Sequence, residues 1–136
     1  MHALGRIHRS LVPDGVLLDV HPVPPDPDVT GGSGVLGRLD DGEFFGSVRA
    51  TEAGVDEAVA LGLFRLEEER WLDVVERFQS PDALLARAAE RGGSRVPLEL
   101  PAKVRSAPPP HDIRHHVVLR RLRALAAGPS GASSAR

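Results

Sequence analysis

Asp19 and His21 are the two residues whose types and spacing come closest to a reactive pair. They lie at the carboxyl end of a mostly apolar run, Val16 to Val20, and their two-residue spacing places both side chains on one face of a strand. An aspartate can orient an imidazole as a base, and ligands of open α/β sheets bind outside the carboxyl ends of strands. No serine or cysteine nucleophile is implied by position, so the pair predicts a ligand-binding site and no catalytic residue. The competing interpretation is that Asp19 caps a loop and His21 is exposed.

Three further histidines, His111, His115 and His116, are spaced as H-x3-H-H. On a helix, the first two would share a face and could bind a metal ion. On a strand they are too far apart to bind one ion, at roughly 3.3 Å per residue. Asp112 is the only other ligand type nearby. We therefore predict no metal site and expect packed or solvated strand histidines.

The segment Gly31–Gly34, GGSG, has the composition of a phosphate cradle but not its context. A cradle lies between a strand and the start of a helix, so that backbone N–H groups converge on the anion. This segment follows a proline-rich stretch and precedes no clear helix. It is predicted to be a flexible linker.

The C-terminal part of the chain is basic, with Arg114, Arg120, Arg121 and Arg123 close together. Nucleic-acid surfaces interleave basic residues with aromatic ones, and no aromatic residue is nearby. The arginines therefore predict a solvated strand face and no nucleic-acid partner. Trp71, beside an acidic run, is expected at the edge of a core rather than as a surface anchor.

The elements that must position these residues follow from periodicity and turn chemistry. Ser80-Pro81-Asp82 is a strong helix start, because a serine N-cap precedes a proline at the first helical position. The region 63–79 alternates with period two and reads as two strands joined by a charged turn or as one long bent strand. The other predicted elements are helices at 2–11, 41–61 and 97–106, strands at 16–20 and 113–120, and a long loop at 22–34.

The run Val16 to Val20 reads as a strand buried on both faces, as in a parallel sheet. Residues 1–126 are predicted to form a single α/β domain. Residues 127–136 have a disordered composition and are expected to be dispensable. The sequence contains no internal repeat.

Composition excludes several classes of function. The 136 residues weigh 14.5 kDa and carry a formal charge of −2, which argues against a chain-wide binder of nucleic acid or anionic membrane. There is no cysteine, so disulfides, thiol catalysis and thiolate metal sites are excluded. Lys103 is the one lysine against sixteen arginines, a bias typical of GC-rich coding that indicates a bacterial source. No signal peptide or membrane span is predicted, so we expect a cytoplasmic protein.

The stretch ALGRIHRSLVPDGVLLDVHP resembles one segment of class I S-adenosylmethionine-dependent methyltransferases. In that family a helix of the form ALxExxRVLxPGGxLLI leads through a Pro-Gly-Gly turn into the fifth strand. The matching residues are Leu4, Ile7, Arg9 and Leu11 in the helix, Pro13-Asp14-Gly15 in the turn and Val16 to Val20 in the strand. The rest of the chain matches the C-terminal half of the family only in element order, and the same pattern is similar to that of a group of short actinobacterial proteins.

The resemblance implies a partial Rossmann-like methyltransferase sheet of roughly three to four strands with flanking helices. The family's Gly-rich cofactor loop and the acid that ends its second strand lie ahead of the matching segment, so no cofactor and no self-sufficient methyltransferase activity are expected. The strand that flanks the fifth strand on one side also lies ahead of that segment. The edge of Val16 to Val20 would then be unpaired, which predicts completion of the sheet by a homodimer. The alternative is that the N-terminal helix or the proline-rich loop folds over this edge.

Three functions remain open on these grounds. The leading one is a non-catalytic interaction or assembly protein, homodimeric or paired with a separate methyltransferase chain. The second is a small-molecule binder or enzyme that uses Asp19, His21 and the loop from Pro22 to Gly34. The third is a subunit of a split methyltransferase whose cofactor half is another chain.

Overall fold

A computed structural model of the chain describes residues 2–126, and the predicted tail at 127–136 lies outside them. The described residues form an α/β fold of four helices and five strands, which confirms the α/β part of the predicted fold class. The helices are α1 (His2–Ser10), α2 (Gly42–Ala60), α3 (Pro81–Glu90) and α4 (Leu100–Ser106). The strands are β1 (Val16–Pro22), β2 (Asp28–Gly31), β3 (Gly34–Arg38), β4 (Phe64–Phe78) and β5 (His111–Ala124).

The five strands form one open antiparallel sheet organised around β5. The last strand pairs with β1, β2 and β4, and β2 pairs in turn with β3. Val29 of β2 lies opposite Ile113 of β5, and both side chains are fully buried. The prediction of three to four strands was therefore too low, because it did not include β2 and β3.

Strand β1 forms where it was predicted, but it is not buried on both faces. Val16, Leu18 and Val20 are 37%, 60% and 57% exposed, whereas Leu17 and Asp19, which alternate with them, are half-buried. A strand with one covered face is typical of an antiparallel sheet. The interpretation as a doubly covered parallel strand was therefore wrong.

The proline-rich segment 22–34 is not one long loop. Its second half enters the sheet as β2, and Gly31 and Gly34 face each other across a tight turn into β3. The GGSG segment is therefore the turn of a hairpin and not a linker. Gly32 is required there, because a Cβ atom would lie 2.5 Å from the carbonyl oxygen of Pro109.

Local signals predicted the remaining elements well. The Ser80 hydroxyl accepts the Ala83 N–H at 3.1 Å and caps α3, as the sequence indicates. Gly62 has a positive φ of 78° just beyond α2. The region 63–79 is one long strand, β4, which was one of the two alternatives.

The chain divides into two compact units. The first consists of the residues up to Val20, Ala50–Arg70 and the residues from Leu119 on; its buried cluster is Val55, Ala58, Phe64, Leu122 and Ala124. The second consists of His21–Arg49 and Trp71–Val118; its buried cluster is Val29, Leu39, Leu84, Ala88, Leu100, Val104 and Ile113. Within residues 2–126, no helix has the length and apolar character needed to cross a bilayer.

A buried ion pair holds α2 to the end of α3 in the second unit. The Asp41 carboxylate is fully buried and lies 3.1 Å from the guanidinium of Arg91. The Ser94 hydroxyl donates to the same carboxylate, and Arg91 stacks over the Phe44 ring at 5.4 Å. The ion pair offsets part of the cost of burying the two charges, while Asp41 Oδ2 and Arg91 Nη1 have no hydrogen-bond partner among the described residues.

Candidate functional site

The first unit contains an apolar cleft between α1, β1 and α2. Its volume is about 250 Å³, slightly below the range of pockets for drug-sized ligands. The cleft is lined by Ala3, Leu4, Ile7, Leu17, Leu18, Asp19, Thr51 and Val55. Asp19 and Thr51 provide its polar side chains. Asp19, one of the two predicted binding residues, therefore lies at a concave surface that a ligand can enter.

Helix α1 forms the outer wall of the cleft. Its apolar residues are divided between the buried cluster of the first unit and the cleft. Leu4 and Leu11 pack against the buried cluster of the first unit. Ile7, on the same stripe, lines the cleft and stays 37% exposed. The helix is fixed by His8, whose Nε2 lies 2.7 Å from the Leu125 carbonyl oxygen and whose ring meets the edge of Phe64.

An arginine of β5 lies opposite Asp19. Two backbone bonds, Ala124 N–H to Gly15 C=O and Val23 N–H to His116 C=O, fix one register between β1 and β5. That register places Asp19 opposite Arg120. The Arg120 guanidinium also lies 3.0 Å from Glu69 and 3.5 Å from a carboxylate oxygen of Asp56.

His21, the second predicted binding residue, is placed in the second unit and is 7% exposed. It is buried, so the interpretation of an exposed histidine was wrong. The residues that line the cleft include Asp19 but not His21. The structure therefore places only the first of the two predicted binding residues at this cleft.

The register between β1 and β5 also defines an open edge. Gly15 and Val23 bond to β5, so the odd-numbered residues between them direct their N–H and C=O groups to that strand. Val16, Leu18 and Val20 direct theirs to the opposite side, where β1 pairs with no other described strand. We call the backbone groups and side chains of these three residues the free edge of β1.

Two histidines of β5 bind carboxylates of β4. His115 Nε2 lies 2.7 Å from Glu76, and His116 Nδ1 lies 2.9 Å from Asp73. The hydrogen bond from His116, followed by one from Arg114, holds the pKa of Asp73 below its usual value. Within the described part of the chain, no group of three or more ligating side chains is arranged to bind a metal ion.

Burial and hydrogen bonding have opposite effects on the pKa of Glu76. Burial alone would raise the pKa of Glu76, but hydrogen bonds from His115 and Arg87 outweigh it and lower that pKa. His111, in contrast, bonds a backbone carbonyl through Nε2, 3.0 Å from the oxygen of Ala107. The spacing H-x3-H-H could not reveal these pairs, because the acids lie in β4, about forty residues away in sequence.

The arginines of β5 face acids along the whole of β4. Arg123 and Arg121 reach Glu67, Arg120 reaches Glu69 and Arg114 reaches Asp73. Hydrogen bonds from Arg123 and then Arg65 lower the pKa of Glu67 to about 2. Together with the histidine pairs we call these contacts the charge ladder between β4 and β5. Each of these four arginines is therefore paired with a carboxylate of β4.

The prediction that Trp71 lies at the edge of a core was wrong. It lies in the middle of β4 and is 66% exposed, so it is not at the edge of a core. Its neighbours on the same strand face are charged members of the ladder, Glu69 and Asp73. No local pattern signals this exposure, because it depends on what covers each face of β4.

Comparisons with protein-family models, with curated proteins and with solved structures find no match to this chain.

Proposed function

We propose that the chain is a non-catalytic, methyltransferase-like interaction protein that assembles into a homodimer through the free edge of β1. The observation that carries the proposal is that edge: three apolar residues, Val16, Leu18 and Val20, with outward backbone groups and exposed side chains. An apolar strand edge without a partner is an aggregation hazard that proteins cover or pair.

The place of β1 in the sheet supports the resemblance to class I methyltransferases. In that family the fifth strand lies centrally, with one neighbouring strand contributed from ahead of the segment that matches this chain. Here β1, which follows the Pro13-Asp14-Gly15 turn, pairs with β5 and with no other described strand. An open side of β1 is what the proposal requires of a chain without that neighbouring strand.

A second copy of the chain fits this edge. In an antiparallel pair centred on Leu18, Val16 of one copy lies opposite Val20 of the other, and all three residues offer outward N–H and C=O groups. Asp19 then lies opposite Leu17 and not opposite the other Asp19, so like charges are not juxtaposed. Pro22, which has no N–H, ends the edge. Such a contact is isologous, the commonest closed symmetry.

Light scattering at micromolar concentration tests the dimer. We expect a mass of about twice 14.5 kDa for the natural chain. Leu18→Lys places a charge on the exposed face of the edge and should return the mass to that of one chain. Trp71→Lys is the matched control, because it adds the same charge to an equally exposed position of β4. A natural chain of single mass, or a dimer broken only by Trp71→Lys, would refute the proposal.

Calorimetric titration with S-adenosylmethionine separates this proposal from methyltransferase activity of the chain itself. The resemblance places the cofactor loop outside the matching segment, so we expect no binding to the isolated protein. Micromolar binding at one site per chain would contradict a non-catalytic role. If the protein is a monomer and gains mass only when it is mixed with a second chain that carries a Gly-rich strand–loop–helix, the split methyltransferase is favoured instead.

A further inference from the structure

We infer that the cleft of the first unit is a second layer of the homodimer interface, and that the Ile7 side chain of a second copy fills it. The inference rests on the dimer proposed above, because it extends the contact from the free edge of β1 to the helices beside that strand. The occupant of the cleft is therefore another copy of this chain.

The cleft lies at the same side of β1 as the free edge. Three consecutive residues of the strand, Leu17, Leu18 and Asp19, line it. Successive side chains of a strand point to opposite faces of the sheet, so one cleft can contact all three only where it reaches the edge of the strand. The other edge of β1 is occupied by β5. The cleft and the free edge are therefore one continuous surface, and Leu18 belongs to both.

The free edge alone is too small for a stable dimer. Specific interfaces bury about 1,200–2,000 Å² and involve about 20–30 residues on each side, whereas the free edge consists of Val16, Leu18 and Val20. The contact must therefore include surface next to the edge. The cleft is such a surface, and six of its eight lining residues are apolar. An apolar lining suits an interface, because the centre of an interface is depleted of charged residues.

The symmetry of the dimer brings the two clefts together. The two-fold axis that relates antiparallel edge strands of one sheet runs perpendicular to the sheet, so α1 of both copies lies on the same side. Each cleft then meets the same surface of the other copy. Ile7 lines the cleft from α1 and is exposed. The helix is held in place by His8, whose Nε2 lies 2.7 Å from the Leu125 carbonyl oxygen. Ile7 is therefore a well-positioned apolar side chain for the cleft of the other copy.

The charge of the cleft does not oppose this contact. Asp19 is the ionisable residue of the lining, and Arg120 lies opposite it on β5. In the pair of strands centred on Leu18, Asp19 lies opposite Leu17 of the other copy and not opposite a second carboxylate. Closing the cleft therefore brings a counter-charge with the acid and juxtaposes no like charges.

The dissociation constant of the dimer, measured by light scattering over a dilution series, tests the inference. Ile7→Glu places a charge in the apolar cleft of the other copy and should weaken the dimer about ten-fold or more. Leu61→Glu is the matched control, because it makes the same kind of change at an exposed apolar residue of the same unit. Leu61 lies just before β4, on the other side of β5, and its replacement should leave the dissociation constant unchanged.

Cross-linking gives a second measurement that adds no charge. The natural chain contains no cysteine, so an introduced thiol is unique. Because Ile7 lines the cleft that the other copy's Ile7 enters, Ile7→Cys treated with a short bismaleimide should give a covalent dimer on a denaturing gel. Leu61→Cys should not. If Ile7→Glu does not fold, as judged by circular dichroism, the cross-linking result decides the matter alone.

The outcomes separate this inference from the dimer itself. Suppose that Leu18→Lys abolishes the dimer, but Ile7→Glu retains its affinity and Ile7→Cys is not cross-linked. The strand pairing would then stand, the cleft would be open to a different occupant, and this inference would be overturned. Equal weakening by Ile7→Glu and Leu61→Glu would overturn it as well, because the position of the charge would not matter. A natural chain of single mass would overturn both the dimer and its second layer.

Discussion

Strands β1 and β4 both pair with β5, but they present very different outer edges. β1 carries one charged residue, Asp19, in seven, whereas eight of the 15 residues of β4 are charged. β4 also exposes apolar residues, Trp71 among them, but it intersperses them with the charge ladder. Charged side chains protect an edge strand against unwanted pairing. The difference leaves β4 protected against pairing and β1 unprotected, as the proposed dimer requires.

The largest effect on stability should come from a proline substitution in β1, and it should depend on which of two neighbouring positions is changed. Leu17 directs its N–H to β5 and packs against the buried cluster, so Leu17→Pro should lower the free energy of unfolding by about 2–4 kcal/mol. Leu18 directs its N–H to the free edge, so Leu18→Pro should leave the chain folded and monomeric. Urea unfolding and light scattering measure the two effects. If both variants unfold alike, the register of β1 is wrong.

How much the sequence could predict is clear from Ser80 and Asp28. The helix start at Ser80 depends on residues within three positions, so the sequence suffices to place α3. The strand at Asp28 depends on Arg114, its partner in β5, so a stretch rich in proline and glycine read as a loop. The same limit applies to the ladder, since the contact of His116 with Asp73 exists only once β4 and β5 are in register. The common face of Asp19 and His21 on β1 could be predicted, because strand alternation is a local property.

Removing charge from β4 should abolish the difference between the two edges. The double variant Glu67→Leu, Glu69→Leu makes the outer strand apolar at two exposed ladder positions. Because an apolar edge strand recruits further strands, the soluble yield should fall several-fold and light scattering should report large species. Glu67→Gln, Glu69→Gln is the control that loses charge but remains polar. Equal aggregation of the two double variants would show that lost ion pairs, and not apolar character, are responsible.

Lowering the pH should weaken the charged contacts between β4 and β5. The pKa of Glu67 is lowered from 4.5 to about 2, chiefly by the hydrogen bond from Arg123. A carboxyl group whose pKa is lowered in the folded state stabilises the fold at pH values above its ordinary pKa. This contribution is lost as the pH falls from about 4.5 towards 2. The difference in Tm between the natural chain and Glu67→Gln should therefore shrink across that window. A difference that is independent of pH would mean that Glu67 is not ionised in the ladder.

The smallest expected effect distinguishes two arginines that contact the same acid. Arg123 donates two hydrogen bonds to Glu67 and a third to the Asp14 carbonyl oxygen, so it also ties the turn before β1 to the ladder. Arg121 lies 3.3 Å from Glu67 and is half exposed, and exposed ion pairs contribute little. Arg123→Gln should lower the Tm by about 2–4 °C, and Arg121→Gln should change it by about 1 °C or less. Thermal unfolding at neutral pH and low salt measures both. If the two variants behave alike, the contact with Asp14 contributes nothing, and β1 and β4 are independent at this end of the sheet.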